Sequence, residues 1–248
     1  MKEIQLHLSV QNLPHGLVDG ENEVAVVVDV LRATSVMAMA LQNRAREVIT
    51  CMEIEEVWQW GAVDRPRRLL CGERFCKPIP GFDLGNSPGD YSVPIVSGKT
   101  LVMTTTNGTR ALNAARDAKL VYAAAFVNLS AIAKRVKRDD RVTIICAGTD
   151  GEETDEDILF AGALAAKLIE LQGDEVVADA MAREALDAWL AFLNSGESLA
   201  DKLAGSLGGR NLVEQGYRAD IDACAAIDSI TAVPMMVSRD PITLRRSP

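Results

Sequence analysis

The chain has 248 residues, of which 48% are hydrophobic and 25% charged, so it can bury a conventional core, and this composition argues against disorder. Its 35 acidic and 26 basic side chains give a formal net charge of −9, which argues against a nucleic acid partner but allows a local cationic cavity. The sequence has no secretion-signal pattern at its start and no run of about 18 apolar residues, so it predicts a cytoplasmic protein without a membrane partner.

Short β-branched runs alternate with longer Ala- and Leu-rich segments along the first two thirds of the chain. The predicted strands cover residues 23–28, 47–51, 68–71, 100–104, 120–124 and 142–146, and the predicted helices cover residues 34–42, 53–61, 109–118, 130–137 and 155–172. The strands lack the alternation of apolar and polar residues that a half-exposed strand shows. This pattern predicts βαβ units and a mostly parallel sheet that helices cover on both faces.

The last third of the chain has a different character, although no linker separates it from the rest. Residues 178–228 are predicted to be mainly helical, and the whole chain, residues 1–248, is predicted to be one domain. The run 231–237 contains Pro234 and is therefore predicted to be an edge strand or an extended tail. Residues 75–94 are rich in Pro and Gly, which predicts a functional loop or lid, or alternatively a surface insertion.

Three segments, 26–35, 103–110 and 145–152, each combine a buried strand, a polar turn and the start of a helix. In a parallel sheet such turns lie at the carboxyl edge, where α/β proteins bind ligands, so we expect the three turns to meet in one cleft. Helix N-termini attract anions, and Arg32 and Arg110 could bind phosphate, sulfonate or carboxylate oxygens there.

The alternative is that these polar residues have only local structural roles. Thr34, Thr106 and Asp155 would then be ordinary helix caps, and the arginines would be solvated. Gly108 fits this alternative poorly, because a glycine in a Thr-rich turn allows the backbone to approach a ligand closely.

Carboxylates at the predicted strand ends could bind a divalent cation. Asp29 ends an apolar run, where a lone carboxylate is costly to bury unless it is paired or bound to a metal ion. Glu73 follows another short strand, and the acidic stretch 150–157 precedes a long helix. Carboxylate oxygens and waters suit Mg²⁺. The alternative for the acidic stretch is a solvated helix start that the helix dipole favours.

Several other chemistries lack the residues that they need. The only histidines are His7 and His15, which makes a Ser-His-Asp triad or a phosphohistidine improbable. The five cysteines read as reduced thiols, and no second Cys/His pair completes a zinc site with Cys71 and Cys76. Neither of the glycine-rich nucleotide-binding motifs is present.

Five motifs resemble, in order and in spacing, those of the 2-phosphosulfolactate phosphatase family. They are DVLRATS at 29–35, GER at 72–74, GFDLGNSP at 81–88, TTNGTR at 105–110, and CAG at 146–148 with Glu156 and Asp157 further on. The resemblance runs from about residue 3 to 237, and the stretch 209–212 with Asp220, Asp222 and Asp228 also looks like the family.

The resemblance implies a fold, an activity and a set of site residues. The implied fold is a three-layer α/β/α sandwich whose central sheet is mostly parallel and possibly mixed. The implied activity is Mg²⁺-dependent hydrolysis of 2-phospho-3-sulfolactate, or a related small 2-phospho-hydroxyacid, to sulfolactate and phosphate in coenzyme M biosynthesis. Asp29, Glu73 and Asp157 are the predicted catalytic and metal-binding residues. The predicted substrate-binding residues are Arg32, Thr34, Ser35, Arg74, Asn86, Ser87, Thr106, Asn107, Gly108, Thr109, Arg110 and Gly148.

The sequence leaves open two other functions, the identity of the attacking group and the oligomeric state. A haloacid-dehalogenase-like phosphatase would carry D-x-D-x-T/V, but Leu31 and Ala33 stand where the second Asp and the Thr or Val belong. A small-anion-binding protein without catalysis is the other alternative. The attacking group is water or, in a phospho-enzyme mechanism, Asp29, and a homodimer is possible.

Overall fold

The computed structural model describes residues 2–10, 23–173 and 176–248, and His15 lies outside these ranges. The strands of this part of the chain are β1 (Lys2–His7), β2 (Val24–Val28), β3 (Glu47–Thr50), β4 (Arg68–Arg74), β5 (Lys77–Pro78), β6 (Thr100–Thr104), β7 (Leu120–Ala124), β8 (Arg141–Cys146), β9 (Val176–Ala178), β10 (Pro234–Arg239) and β11 (Ile242–Arg246). The helices are α1 (Ala33–Gln42), α2 (Ile54–Ala62), α3 (Val93–Val96), α4 (Gly108–Ala114), α5 (Leu129–Val136), α6 (Asp155–Gln172), α7 (Ala180–Ser195), α8 (Leu199–Gly205), α9 (Leu207–Glu214) and α10 (Arg218–Cys224).

The strands form one mixed sheet in the order β5-β4-β6-β3-β11-β10-β7-β2-β8-β1-β9. Strands β7, β2, β8, β1 and β9 make one parallel block, and β4, β6 and β3 make a second. The hairpin β10–β11 lies between the blocks and pairs antiparallel with β7 on one side and β3 on the other. Three successive antiparallel pairings separate the blocks, so their strands run in opposite directions.

The position of β10 corrects the prediction that the run containing Pro234 is an edge strand or a tail. This strand lies inside the sheet, between β7 and β11. Pro234 is its first residue, a position where a missing backbone N–H does not interrupt the ladder. The proline therefore indicates where the strand begins, and it does not indicate whether the strand lies at the edge or in the interior of the sheet.

Helices cover both faces of the sheet, as expected for a layered α/β protein. Alternate residues of β2 point to opposite faces: Val26 packs in the core with α5, α6 and α7, and Val27 packs in the core with α1 and α4. Every residue of β2 is buried, which explains its unbroken apolar sequence. The structure confirms the α/β class and the largely parallel pairing.

Most predicted elements lie where the sequence indicates them. The long helix α6 has the predicted bounds, and the region after residue 178 contains α7 to α10. The Pro- and Gly-rich region 75–94 holds only the two-residue strand β5, a single 3-10 turn and the beginning of the short helix α3. None of the described helices has the length and apolar character that crossing a membrane requires. That the chain is a single domain stays a prediction.

Candidate active site

A cavity of about 230 Å³ lies where the three predicted turns meet. Residues of five segments and Asn86 line it. The five segments supply Asp29, Leu31 and Arg32 after β2, Glu73 near the end of β4 with Phe75 and Cys76 after it, residues 105–107 after β6, residues 149–150 after β8, and part of α9 with the following Gln215. The expectation that the turns near 29–35, 105–110 and 146–157 share one cleft is therefore confirmed.

The reason for their meeting differs from the expected common carboxyl edge. Strands β2 and β6 belong to blocks that run in opposite directions, so their carboxyl ends do not share an edge by parallel pairing. The starts of α1 and α4 touch instead. A methyl group on Gly108 would lie 2.6 Å from the Cβ atom of Ala33 and 2.7 Å from Oδ2 of Asp29. Only glycine fits at position 108 without displacing the carboxylate.

Asp29 is a buried carboxylate that lines this cavity. Its Oδ1 accepts a hydrogen bond of 3.0 Å from the backbone N–H of Ala33, in the first turn of α1. No described residue donates to Oδ2. Burial raises the pKa of this carboxyl group to about 7; the charges of Glu73 and Glu156 add to the rise, and the Ala33 N–H and Arg32 oppose it.

Glu73 ties two segments of the cavity wall together. Its Oε1 accepts hydrogen bonds of 2.9 Å from both the backbone N–H and the hydroxyl of Thr106. Its Oε2 accepts a 2.9 Å bond from the backbone N–H of Cys76. The side chain is buried yet lines the same cavity as Asp29. This carboxylate therefore fixes the Thr106 turn while facing the ligand space.

Asp157 lies behind the cavity. Its Oδ1 accepts a 2.9 Å bond from the N–H of Val30, and its Oδ2 accepts a 3.2 Å bond from the N–H of Gly148. It does not line the cavity. Its pKa is raised well above the usual value by burial and by the charges of Glu156 and Asp29. Asp157 thus joins the turns after β2 and β8 to the start of α6.

Glu156 is a fourth buried carboxylate at this end of the molecule. Its Oε1 occupies the space that a side chain on Gly208 would need, and its Oε2 has no hydrogen-bond partner among the described residues. Burial, first of all, raises its pKa. In the sequence, Glu156 is recognisable only as part of a motif, which predicts no role for it.

The charge balance of the site suits a divalent cation. Asp29, Glu73, Glu156 and Asp157 are all buried around it, and Arg32 is the only cationic side chain of the described residues that lines the cavity. Within the described ranges, no three His, Cys, Asp or Glu side chains are grouped to hold a metal ion, so the predicted trio of carboxylate ligands is not assembled. Mg²⁺ needs only one or two carboxylates beside waters and substrate phosphate, and Asp29 with Glu73 meets that requirement.

Arg32 is held tightly although it lines the cavity. The side chain is 3% exposed and forms an ion pair with Asp220, a residue of α10. It also donates to Ser87 Oγ at 3.3 Å and to the carbonyl of Cys76 at 2.9 Å, and its guanidinium lies 4.7 Å from the ring centre of Tyr217. These contacts join the loop at 76–87 to the C-terminal helices, so Arg32 has a structural task beside any contact with substrate.

Comparison with known proteins identifies the family of this chain. A model of the family described as 2-phosphosulpholactate phosphatase matches residues 9–239. The chain belongs to the 2-phosphosulfolactate phosphatase family. A protein of Caldanaerobacter subterraneus subsp. tengcongensis, named a probable 2-phosphosulfolactate phosphatase, is 40% identical over 213 residues, which cover 85% of this chain and 86% of that protein.

Further relatives with the same name come from other bacteria. The protein of Thermotoga petrophila is 37% identical over 88% of this chain and 91% of its own length. The protein of Synechococcus sp. strain WH7803 is 40% identical over 88% of each chain. The resemblance to 2-phosphosulfolactate phosphatases that the motifs indicated is thereby confirmed.

Only some of the predicted substrate-binding residues of this family member reach the cavity. Those that line it are Arg32, Asn86, Thr106 and Asn107. Ser87 adjoins the cavity through its 2.8 Å bond to Asp220. Gly108 and Gly148 contribute through their backbones, the first by its contact with Asp29 and the second by its bond to Asp157.

The other predicted residues form bonds within the protein and do not line the cavity. The Thr34 hydroxyl lies 2.8 Å from the carbonyl oxygens of both Asp29 and Ala124. Ser35 donates to the Val30 carbonyl at 2.8 Å, and the Thr109 hydroxyl accepts from the Thr105 N–H at 3.0 Å.

The two other arginines that are predicted to bind anions are absent from the cavity lining. Arg74 donates to the carbonyl of Glu73 at 2.9 Å and to the hydroxyl of Thr104 at 3.0 Å. Arg110 is exposed on α4. Of the three arginines predicted to bind the anionic substrate, only Arg32 therefore lines the cavity in the described part of the chain.

Several residues of the cavity were missed. Helix α9 contributes Gly208, Asn211, Leu212 and Glu214, and Gln215 follows it. The resemblance of the stretch 209–212 to the family is the one signal for this wall in the sequence, and the helical pattern does not indicate which face meets the cavity. Asp150 and Cys76 also line the cavity without having been assigned.

Proposed function

We propose that this chain is a Mg²⁺-dependent phosphatase that hydrolyses 2-phosphosulfolactate, or a closely related small 2-phospho-hydroxyacid, to sulfolactate and phosphate. The observation that carries the proposal is the cavity in which the buried carboxylates Asp29 and Glu73 lie beside Arg32 and several side-chain amides and hydroxyls; Asp150 and Glu214 also line it. Membership of the family and the shared name of the relatives supply the substrate class.

Asp29 and Glu73 are the residues that would hold Mg²⁺. When bound, the ion would neutralise the surplus negative charge and polarise the phosphoryl group. A tetra-anionic substrate would otherwise meet the like charges of the two carboxylates, which disfavours binding. We therefore expect both substrate binding and turnover to require the ion.

The protein's own groups orient the reactants. The backbone N–H of Ala33 binds Oδ1 of Asp29, and Oδ2 lies beside Gly108 at the start of α4. Glu73 holds the Thr106 turn, which carries a hydroxyl and an Asn107 amide at the cavity wall. We propose that water attacks the phosphorus atom; a phospho-enzyme at Oδ2 of Asp29 is the alternative, because no residue in the described part of the chain donates to that oxygen.

A phosphate-release assay tests this function directly. The wild-type protein is mixed with 2-phosphosulfolactate with and without Mg²⁺, and the Asp29→Asn variant is measured in parallel. We expect release only with Mg²⁺, and a loss of well over tenfold in the variant, which corresponds to more than about 1.4 kcal/mol of transition-state stabilisation. Asp187→Asn, on the exposed side of α7, is the matched control.

The possible results separate the candidate functions. Activity of Asp29→Asn within tenfold of wild type would remove Asp29 from the catalytic role. No release of phosphate from any 2-phospho-hydroxyacid, together with measurable binding, would favour a small-anion-binding protein. The cytoplasmic location, the homodimer and the part in coenzyme M biosynthesis are further predictions from the sequence and the family resemblance.

A further inference from the structure

Phe75 lines the cavity although it is almost entirely exposed to solvent. Its exposed fraction is 88%, the largest of any large hydrophobic residue in the described ranges. The ring belongs to none of the hydrophobic clusters that those residues form. A single exposed apolar side chain is common on protein surfaces, so this observation carries weight only together with the backbone that presents the ring.

The backbone at Phe75 is unfavourable for this type of residue. Phe75 and Cys76 form the two-residue turn of the hairpin between β4 and β5. Their φ angles are +54° and +64°, in the left-handed region that glycine and asparagine adopt most readily. Hairpin turns of this kind favour Asn-Gly, so a phenylalanine is strained here. Such strain persists where the surrounding structure holds it, and it is concentrated at functional sites.

Two residues of the cavity hold this turn in place. The backbone N–H of Cys76 donates to Oε2 of Glu73 at 2.9 Å, and the carbonyl oxygen of Cys76 accepts a bond of the same length from Arg32. Phe75 is therefore kept at the cavity by residues that also line it. The position of the turn is thus coupled to the side chains that a ligand in the cavity would meet.

An anionic ligand in this cavity would gain from a cover. Asp29, Glu73, Asp150 and Glu214 make the lining acidic, and Arg32 is the only cationic side chain among the described residues that line it. Binding of the proposed substrate therefore depends on the attraction of its phosphate to Mg²⁺ and to this arginine. Such attraction is several times stronger where water is excluded, because the effective dielectric constant falls.

We infer that the phenyl ring of Phe75 folds onto the bound substrate and excludes bulk water from the cavity. The inference rests on the proposed phosphatase function and adds a substrate-contacting residue to it. The two bonds of Cys76 hold the backbone of the turn, so only the side chain of Phe75 has to move. Burial of the exposed ring on ligand binding then adds to the affinity.

Phe75→Asn tests this inference, because asparagine suits the turn and has no ring. We expect its kcat/KM for 2-phosphosulfolactate, measured with Mg²⁺, to fall at least about tenfold, mainly through a higher KM. Its midpoint of urea unfolding should equal or exceed that of wild type, which separates the loss of activity from misfolding. Phe75→Gly should show the same losses, and Phe75→Tyr, which keeps the ring, should retain kcat/KM within about threefold.

Arg44→Asn is the matched control. Arg44 is exposed, has a φ of +70° and does not line the cavity, so it receives the same substitution at the same kind of backbone position. Its kcat/KM should equal that of wild type, and its urea midpoint should be equal or higher. The comparison separates relief of backbone strain from loss of the ring.

A binding measurement gives a readout besides turnover. Sulfolactate, the product, is titrated calorimetrically into the protein at several temperatures with Mg²⁺ present. Burial of the ring makes the heat capacity change of binding more negative. We expect this change to be less negative in Phe75→Asn than in wild type, and the dissociation constant to be at least about tenfold higher. Arg44→Asn should match wild type in both quantities.

The outcomes distinguish this inference from the proposed function. A folded Phe75→Asn with the kinetics and the heat capacity change of wild type would overturn the inference and leave the phosphatase function intact. If this variant changed only the oligomeric state in sedimentation, the ring would be a subunit contact, and the inference would also fall. A wild type that releases no phosphate from 2-phosphosulfolactate would refute the proposed function, and the inference with it.

Discussion

Asp29 carries a carboxyl group that folding removes from water. Burial raises its pKa from 3.8 to about 7, and the nearby charges of Glu73 and Glu156 act in the same direction. The folded state therefore binds this proton more tightly than the unfolded chain. The contribution of Asp29 to the stability of the folded protein therefore declines as the pH rises from about 4 to about 7, and it stays low above that. A paired aspartate usually has the opposite effect.

Replacing Asp29 with asparagine should remove this pH-dependent cost. In metal-free protein, we expect Asp29→Asn to be more stable than wild type at about pH 8, by on the order of 3 kcal/mol, and close to wild type at about pH 4. Urea unfolding at both pH values, with a chelator present, measures the difference. Mg²⁺ should stabilise wild type more than the variant. If the variant gained nothing at about pH 8 in the chelator, the carboxyl group would not be the source of the cost.

Some residues of the site could be predicted from the sequence and others could not. Asp29 and Glu73 could be predicted because a carboxylate at the end of an apolar run is costly without a partner, and both do line the cavity. A sequence motif does not indicate in which direction each of its side chains points. Arg110 shares a motif with Thr106 but is exposed, and Asn86 could be singled out physically only once its unpaired amide was seen.

Helices α6 and α7 pack closely around a glycine of α6. A methyl group on Gly162 of α6 would lie 1.9 Å from the carbonyl oxygen of Ala185 and 3.0 Å from Cβ of Trp189, both on α7. The two helices would have to move apart to accept it. Because α6 also carries Glu156 and Asp157 at its start, this packing supports the site from behind.

The Gly162→Ala variant should therefore lose stability although alanine favours helices. We expect a loss of roughly 1–3 kcal/mol from overpacking. Gly205→Ala, at the end of α8 with open space around the new methyl group, is the matched control and should be neutral or gain up to about 1 kcal/mol. Urea unfolding midpoints of the two variants test the contrast. Similar midpoints would mean that α6 and α7 adjust to the extra methyl group without cost.

Element boundaries were predictable where the local pattern is strong. Helix α6 is long, begins with three acidic residues and is followed by Gly173, so its sequence marks both ends. Helix α9 has eight residues, and its contribution to the cavity depends on contacts distant in sequence, such as that of Gly208 with Glu156. Such contacts leave no local pattern, which explains why this wall of the site was missed.

At the scale of the whole molecule, the sheet joins two parallel blocks through a hairpin from the C-terminal end of the described chain. Asp29 follows a strand of one block, and Glu73 belongs to a strand of the other, with β10 and β11 between the blocks. The alternation of strands and helices predicted a mostly parallel sheet correctly. It could not predict the inserted hairpin, because pairing between distant segments is set by the complete core and not by either strand alone.

This arrangement predicts that the hairpin is integral to the fold and to the site. Leu244 of β11 is fully buried in the core beneath α1 and α4, and its backbone pairs with Val48 of β3 and Met236 of β10. Leu244→Ala should cost about 2–5 kcal/mol, because it leaves a cavity between the blocks. Val237→Ala, in the same hairpin but 45% exposed, should change stability by less than about 0.5 kcal/mol.

Urea unfolding and phosphate release should be followed together in these two variants. Since the carboxylates of the site come from both blocks, activity in Leu244→Ala should disappear in the same transition as the fold, shifted to lower urea. A hairpin that is only an appendage would behave differently: limited proteolysis would remove residues after Ser229 from Leu244→Ala and leave a folded, active remainder. That result would show that the two blocks hold the site together without the strands between them.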